Sequence, residues 1–342
     1  MIFDKESITF FENGFKRYRY LYEKSQPKVT FSYRKGNNLA FLHDMTYISP
    51  KVLDVKHVEG VLEILIDGWD KTEIKIKVIV GKESSGMRIP VFQELIKNVC
   101  TYVMFLNQIR RKSYVEIVCA FSKTKKEIPE SGILGVENVN SGFSVGDYVF
   151  IYRQEEFYKV LLHELIHYYG FHDNIEDDMM GATDMIKTFN IQNTKPLRLY
   201  ESYVETITSI WMIFFKAKKM SKGNNIEPKD LIELYRKTIK HMIETICLIL
   251  KYNGRGSMMD TSNPLKENTH VFSYYFVKGA IMLNIKRFIE LYGIGMIPSK
   301  IFNKTYASLI KSSLNDKRFN NVVSKTMNTV YGNSLRMMPF DL

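Results

Sequence analysis

The chain is poor in the residues that staple small secreted scaffolds together. It has only three Cys in 342 residues. Cys100, Cys119 and Cys247 lie far apart and form no C-x-x-C, which excludes a disulfide framework. Nine Pro and 19 Gly are too few for a collagen-like or Pro-rich chain. Long hydrophobic runs are also missing. The apolar stretches around Ile207–Phe215 and Ile243–Leu250 fall well short of the roughly 18–20 residues that span a bilayer. Asp4, Lys5 and Glu6 crowd the start, where a secretory signal would be basic and then apolar. These absences lead us to expect no membrane span, no secretion and a reducing, intracellular, cytoplasmic setting.

What is present is a globular composition, 45% hydrophobic and 25% charged, which excludes wholesale disorder. The net charge of +11 suits an acidic partner. Its basic clusters, Arg110-Arg111-Lys112, Lys123-Thr124-Lys125-Lys126 and Lys216-Ala217-Lys218-Lys219, are scattered and match no nucleic-acid module, so they read as solvated surface. The usage of Lys, Asn, Ile and Tyr resembles the codon bias of AT-rich genomes such as those of large DNA viruses; for a viral chain the expected setting is the host cytoplasm or the virion.

The pattern changes along the chain. Gly60–Ile66 and Glu73–Val80 alternate as strands joined across Asp67-Gly68-Trp69-Asp70. Apolar Val91, Leu95, Ile96, Val99, Val103 and Leu106 predict a helix over Pro90–Lys112. Strands are expected at Tyr114–Phe121 and Asp147–Tyr152. Beyond them the sequence reads as helices: Glu155–Tyr169 stopped by Gly170, then Leu197–Lys219, Pro228–Tyr252, His270–Tyr292, and two shorter ones. Strands followed by helices imply an α+β fold with a sheet-containing lobe, residues 1–154, and a mostly helical lobe, residues 155–342.

Three of the seven His, His163, His167 and His172, fall within ten residues. Leu162-His163-Glu164-Leu165-Ile166-His167 is an H-E-x-x-H motif on a predicted helix. Its two His stand one turn apart on one face and can share a Zn²⁺. Glu164 is placed to take a proton from a metal-activated water. A catalytic zinc needs a third protein ligand and one open position. The sequence offers His172 and Asp173 just after Gly170, and the pair Glu201 and Glu205, four apart among apolar Leu199, Val204, Ile207 and Trp211. A buried Glu pair needs a cation or a metal-bound His as partner.

The order of these parts resembles the gluzincin zinc metallopeptidases, in particular the aminopeptidase N and leukotriene A4 hydrolase type. That family carries a Gly-Ala-Met-Glu-Asn strand ahead of its zinc helix, and Leu134-Gly135-Val136-Glu137-Asn138 resembles it. H-E-x-x-H follows, then a Glu opening a helix, as at Glu201 and Glu205, then a Tyr near Lys-Gly-Ala, as at Tyr275 and Lys278-Gly279-Ala280. The departures are clear. The family places its Glu closer behind the second His than the 33 residues between His167 and Glu201 here, and Tyr275 stands one step off the family's position.

The resemblance implies a zincin-like fold with the zinc site between its two lobes. It implies one Zn²⁺ held by His163, His167 and Glu201, with Glu205 orienting a His or acting as an alternative ligand. Glu164 would be the general base, and Tyr275 or Tyr274 the donor to the oxyanion. Glu137 would recognise a substrate α-ammonium in an aminopeptidase. Gly135–Ser144, open for strand pairing, would border the cleft. The degenerate strand motif inclines the reading toward an endopeptidase acting on peptide or protein substrates. The competing reading is a non-catalytic structural or assembly protein that retains a zincin-like scaffold. Nothing in the sequence specifies an oligomeric state.

Overall fold

The computed structural model describes residues 4–36, 48, 52, 58–81, 89–171, 181–193, 195–221, 226–292 and 303–340. The fold is mixed α and β with a six-stranded sheet. In chain order the first elements are α1 (Lys5–Lys24), β1 (Thr30–Lys35), β2 (Val58–Trp69), β3 (Thr72–Gly81), α2 (Ile89–Asn107), β4 (Tyr114–Ser122), α3 (Val136–Val139), β5 (Gly142–Val145), β6 (Tyr148–Arg153) and α4 (Phe157–Tyr168). They are followed by α5 (Ala182–Thr188), β7 (Ile191–Asn193), α6 (Glu201–Ser221), α7 (Pro228–Tyr252) and β8 (Leu265–Glu267). A π-helical stretch, Phe272–Val277, leads into α8 (Lys278–Leu283), α9 (Ile285–Tyr292), α10 (Asn303–Leu314) and α11 (Lys317–Met327). Among the described residues no helix is long and apolar enough to cross a membrane.

The chain forms two compact units that interleave in sequence. One comprises Arg17–Lys125 and Asn140–Gly170; the other comprises Met1–Lys16, Lys126–Val139 and Phe171–Leu342.

The first unit holds the sheet, in the order β1-β2-β3-β4-β6-β5. β3, β4 and β6 run parallel, and the remaining pairs are antiparallel. The β2–β3 hairpin expected from the alternation is present, but the strand runs on to Trp69 and the turn falls at Asp70-Lys71. Both residues adopt left-handed φ, 48° and 60°, as in the two-residue turn whose twist matches that of the strands. Ile74, Ile76 and Val78 of β3 share one fully buried face with Val115, Ile117 and Cys119 of β4. The opposite face carries Ile79, Val118, Ala120, Phe150 and Tyr152, packed with Ile48 and Val52. Each such Ile or Val contributes about 1.5–3 kcal/mol by leaving water. Helix α2 buries Leu95, Ile96, Val99, Val103 and Leu106 as its spacing predicts; Val91, at the exposed start, does not join them.

Helix α4 belongs to this unit and packs against β5 and β6. Phe157 meets Phe121 with ring centroids 4.9 Å apart. The fully buried Arg153, at the end of β6, donates to the carbonyls of Asn140 at 2.9 Å, Thr124 at 3.1 Å and Lys125 at 2.6 Å. It thereby ties the segment after β4 to the entry of β5.

The second unit is mostly helical. Helix α6 is buried on every side over most of its length, with Trp211 inaccessible, as befits a central helix. Phe11 of α1 packs edge-on against Phe214 and Tyr235. Helix α7 starts with Pro228 in its first turn, where a missing N–H is harmless. The single helix expected over His270–Tyr292 is instead three segments. The last break falls at Asn284, whose side chain turns back to donate to the Ala280 carbonyl.

Candidate metal centre

His163 and His167 lie on α4 because its apolar residues Val160, Leu161, Leu165 and Ile166 bury the rest of the helix. Both ends of the helix are fixed. Glu156 enters it in a left-handed conformation at φ 58°, and Gly170 leaves it at φ 69°, its N–H donating to the His167 carbonyl at 2.8 Å. The Tyr168 hydroxyl donates to the Tyr114 carbonyl at 2.7 Å, and the Tyr169 hydroxyl to Asn107 Oδ1 at 2.9 Å. Arg110 donates to the Gly170 carbonyl at 2.9 Å. The last turn, which carries His167, is therefore held by β4 and α2.

The Nε2 atoms of the two imidazoles lie 3.0 Å apart. Two nitrogens bound to one tetrahedral zinc at about 2.0–2.1 Å would be about 3.3 Å apart, so the rings already aim at a common point. His163, His167 and Glu201 form a group whose ligand atoms all lie within 4.8 Å of one another and can hold a metal ion. Glu201 opens α6. His163 and Glu201 are 6% and 5% exposed, and His167 is half-buried. Two imidazole nitrogens and one carboxylate are a donor set that fits a divalent transition ion.

Glu164 follows His163 and is 8% exposed. Its charge adds to the burial that pushes the Tyr152 phenol above its ordinary range, which places the carboxylate in the neighbourhood of β6.

The other expected site residues have local surroundings of their own. Glu205 lies one turn beyond Glu201 but pairs with Lys278, Nζ to Oε2 at 3.2 Å, with both side chains buried. Tyr275 is 2% exposed, and its hydroxyl donates to the Leu335 carbonyl at 2.6 Å, a bond it would have to leave to serve an oxyanion. Tyr274 packs edge-on against His270, centroids 5.8 Å apart. Glu137 sits in the helical turn α3; the segment read as a strand, Leu134–Asn138, makes an isolated bridge from Leu134 to Glu267. The Asn138 side chain accepts from the Gly135 N–H, and the Val139 N–H bonds the Gly135 carbonyl, so the backbone turns there instead of extending. Gly142–Ser144, the end of the expected open segment, belongs to β5, which is an outer strand of the sheet among the described residues. His172 and Asp173 lie outside the described residues.

The burial of two charged groups was not read from the sequence. Lys278 had a signal: a lone cation in the apolar run Phe272–Leu283 requires a buried partner. Glu267 had none. Its carboxylate accepts from the Phe272 N–H at 2.6 Å and from Asn193 at 2.8 Å, and burial pushes its pKa up to about 8.

No family model, curated protein or solved structure matches the chain.

Proposed function

We propose that the protein is a zinc-dependent metallopeptidase. The observation that carries this reading is the convergence of His163, His167 and Glu201 within 4.8 Å, with Glu164 next in the chain to a ligand. Two imidazoles favour zinc over the oxygen-seeking Mg²⁺ and Ca²⁺. Three protein ligands leave a fourth position open, the mark of a catalytic centre as opposed to a structural one.

A zinc ion held there supplies Lewis acidity toward water and toward a peptide carbonyl. Glu164, held on α4, takes the proton of the attacking water and returns it to the leaving amine. The outer edge of β5, on which α4 packs, offers backbone groups to an extended peptide lying as an added strand. Glu137 is not on that strand, so the strand carries no acidic anchor for a free N-terminus. This favours an endopeptidase. Three free, buried cysteines agree with a reducing intracellular setting.

The test is Glu164→Gln. The amide keeps the shape of the carboxylate but cannot accept the proton. The variant should retain one zinc per chain and lose cleavage of N-terminally blocked peptides by about 10²–10⁴-fold. Wild-type turnover in this variant would leave the non-catalytic scaffold as the better reading.

A further inference from the structure

Helix α4 is held unevenly along its length. Val160, Leu161, Leu165 and Ile166 bury the turns around His163, but His167 and Tyr168 are only half-buried. Tyr169, directly after α4, is 0% exposed, and its hydroxyl donates to Asn107 Oδ1 at 2.9 Å. Asn107 is the last residue of α2. Its Nδ2 donates to Thr72 Oγ1 at 2.9 Å and to Asp70 Oδ2 at 3.1 Å, and its Oδ1 also accepts from the Lys112 N–H at 3.2 Å. Both amide hydrogens and both carbonyl lone pairs are thereby used. A backbone N–H only donates and a carboxylate accepts, so Lys112 and Asp70 fix the amide in one orientation, with its oxygen toward Tyr169. The Thr72 hydroxyl donates in turn to the Lys112 carbonyl at 2.7 Å. One side chain thus joins the turn of the β2–β3 hairpin, the approach to β4 and the end of α4, all within one compact unit.

We infer that Asn107 is a positioning residue for the metal centre: by anchoring Tyr169 it keeps closed the turn of α4 that carries His167, and so raises zinc affinity. This rests on the reading of His163 and His167 as zinc ligands. Two imidazoles one turn apart share an ion only while the turn between them stays helical. Helix ends fray, and His167 stands in the last turn. A frayed turn has to be ordered when the ion binds, and that ordering weakens binding; a turn ordered beforehand avoids it. Tyr169 lies two residues beyond His167, and its N–H donates to the Leu165 carbonyl at 2.9 Å. Fixing its side chain therefore fixes the backbone that closes around His167. Arg110 and the Tyr168 hydroxyl hold the same turn, so the expected effect of Asn107 is moderate.

The experiment measures zinc affinity by chelator competition, well below the melting temperature, and stability by denaturation in chelator. It compares wild type, Tyr169→Phe, Asn107→Leu, Asn107→Asp and the double variant Asn107→Leu/Tyr169→Phe. Affinity measured on the folded chain does not move with a purely structural loss of stability, so the two readouts separate positioning from support. Tyr169→Phe and Asn107→Leu should each weaken zinc binding by about tenfold. Tyr169→Phe should weaken it no further in the Asn107→Leu background, because both changes remove the same bond. Asn107→Asp keeps an acceptor for Tyr169 but loses both donors and sets a carboxylate against the exposed Asp70. It should lower stability and keep the wild-type zinc affinity. Should Asn107→Leu fail to fold, Tyr169→Phe and Asn107→Asp still decide. Wild-type affinity in Tyr169→Phe, or affinity that falls with stability in Asn107→Asp, overturns the inference and leaves the metal reading standing. A wild-type chain that takes up no zinc overturns the metal reading itself, and the role of Asn107 with it.

Discussion

His163 and His167 present their Nε2 atoms to each other at 3.0 Å. Two imidazoles held on one helix face gain at most one hydrogen bond from this arrangement, since one must donate and the other accept. A metal ion gains from both nitrogens at once. The arrangement is therefore more useful to a ligand than to the fold.

Zinc should accordingly stabilise the folded chain. Free zinc at a hundred times its Kd adds about 2.7 kcal/mol if the unfolded chain binds none. Thermal melts with zinc and with chelator should differ, and His163→Ala should erase the difference. Equal zinc stabilisation in this variant would remove His163 from the ligand set.

Tyr275 gives a sharper separation of roles. Tyr275→Phe removes the donor to the Leu335 carbonyl. It should cost about 1–3 kcal/mol in chemical denaturation, the range for a buried acceptor left without its partner. Turnover at a temperature where the variant is folded should stay at the wild-type level. Loss of an oxyanion donor would lower it by about 10²–10³-fold, and such a loss with stability intact would return Tyr275 to the reaction.

Helix α4 and the β2–β3 hairpin were legible because each has one period and a clear stop. Gly170 ends α4, and alternating Ile, Val and Leu mark the strands. The His270–Tyr292 segment was misread as one helix because apolar residues on every side erase the period that would have shown a π turn and a break. Glu201 and Glu205 looked equivalent for a related reason. They share type, face and burial, and the Lys278 that pairs with Glu205 is 73 positions away. The Glu137 segment was read as a strand through its resemblance to a family motif, while its own Gly135–Asn138 hydrogen bond makes a turn. Helix α1 and strand β1 went unread.

Gly142 tests how tightly α4 sits on the edge strand. A Cβ there would lie 2.8 Å from the Phe150 carbonyl oxygen and 2.9 Å from both Ile151 Cδ1 and Val160 Cγ1. The carbonyl belongs to the β5–β6 ladder and cannot yield, so the strain passes to Val160 and through it to α4. Gly142→Ala should destabilise by about 1–3 kcal/mol, as overpacking does. Zinc affinity should weaken with it, because the metal-binding face belongs to the displaced helix. A variant as stable as wild type would mean that β5 and α4 pack more loosely than these distances indicate.

Glu267 should make stability depend on pH. Burial raises its pKa from the ordinary 4.5 to about 8, against the smaller opposing effect of the Phe272 N–H. Between these values the folded chain holds a proton that the unfolded chain has released. The contribution is therefore fully present below about pH 4.5 and is lost as pH rises through about 8. One such group gives a slope of at most about 1.4 kcal/mol per pH unit. Glu267→Gln carries no charge at any pH and can still accept from the Phe272 N–H, so its stability should lose that slope. The measurement is the difference in unfolding free energy between wild type and variant from pH 5 to pH 8, in chelator. A difference that stays constant across this range would show that Glu267 is charged throughout, its burial offset by Asn193 and the Phe272 N–H.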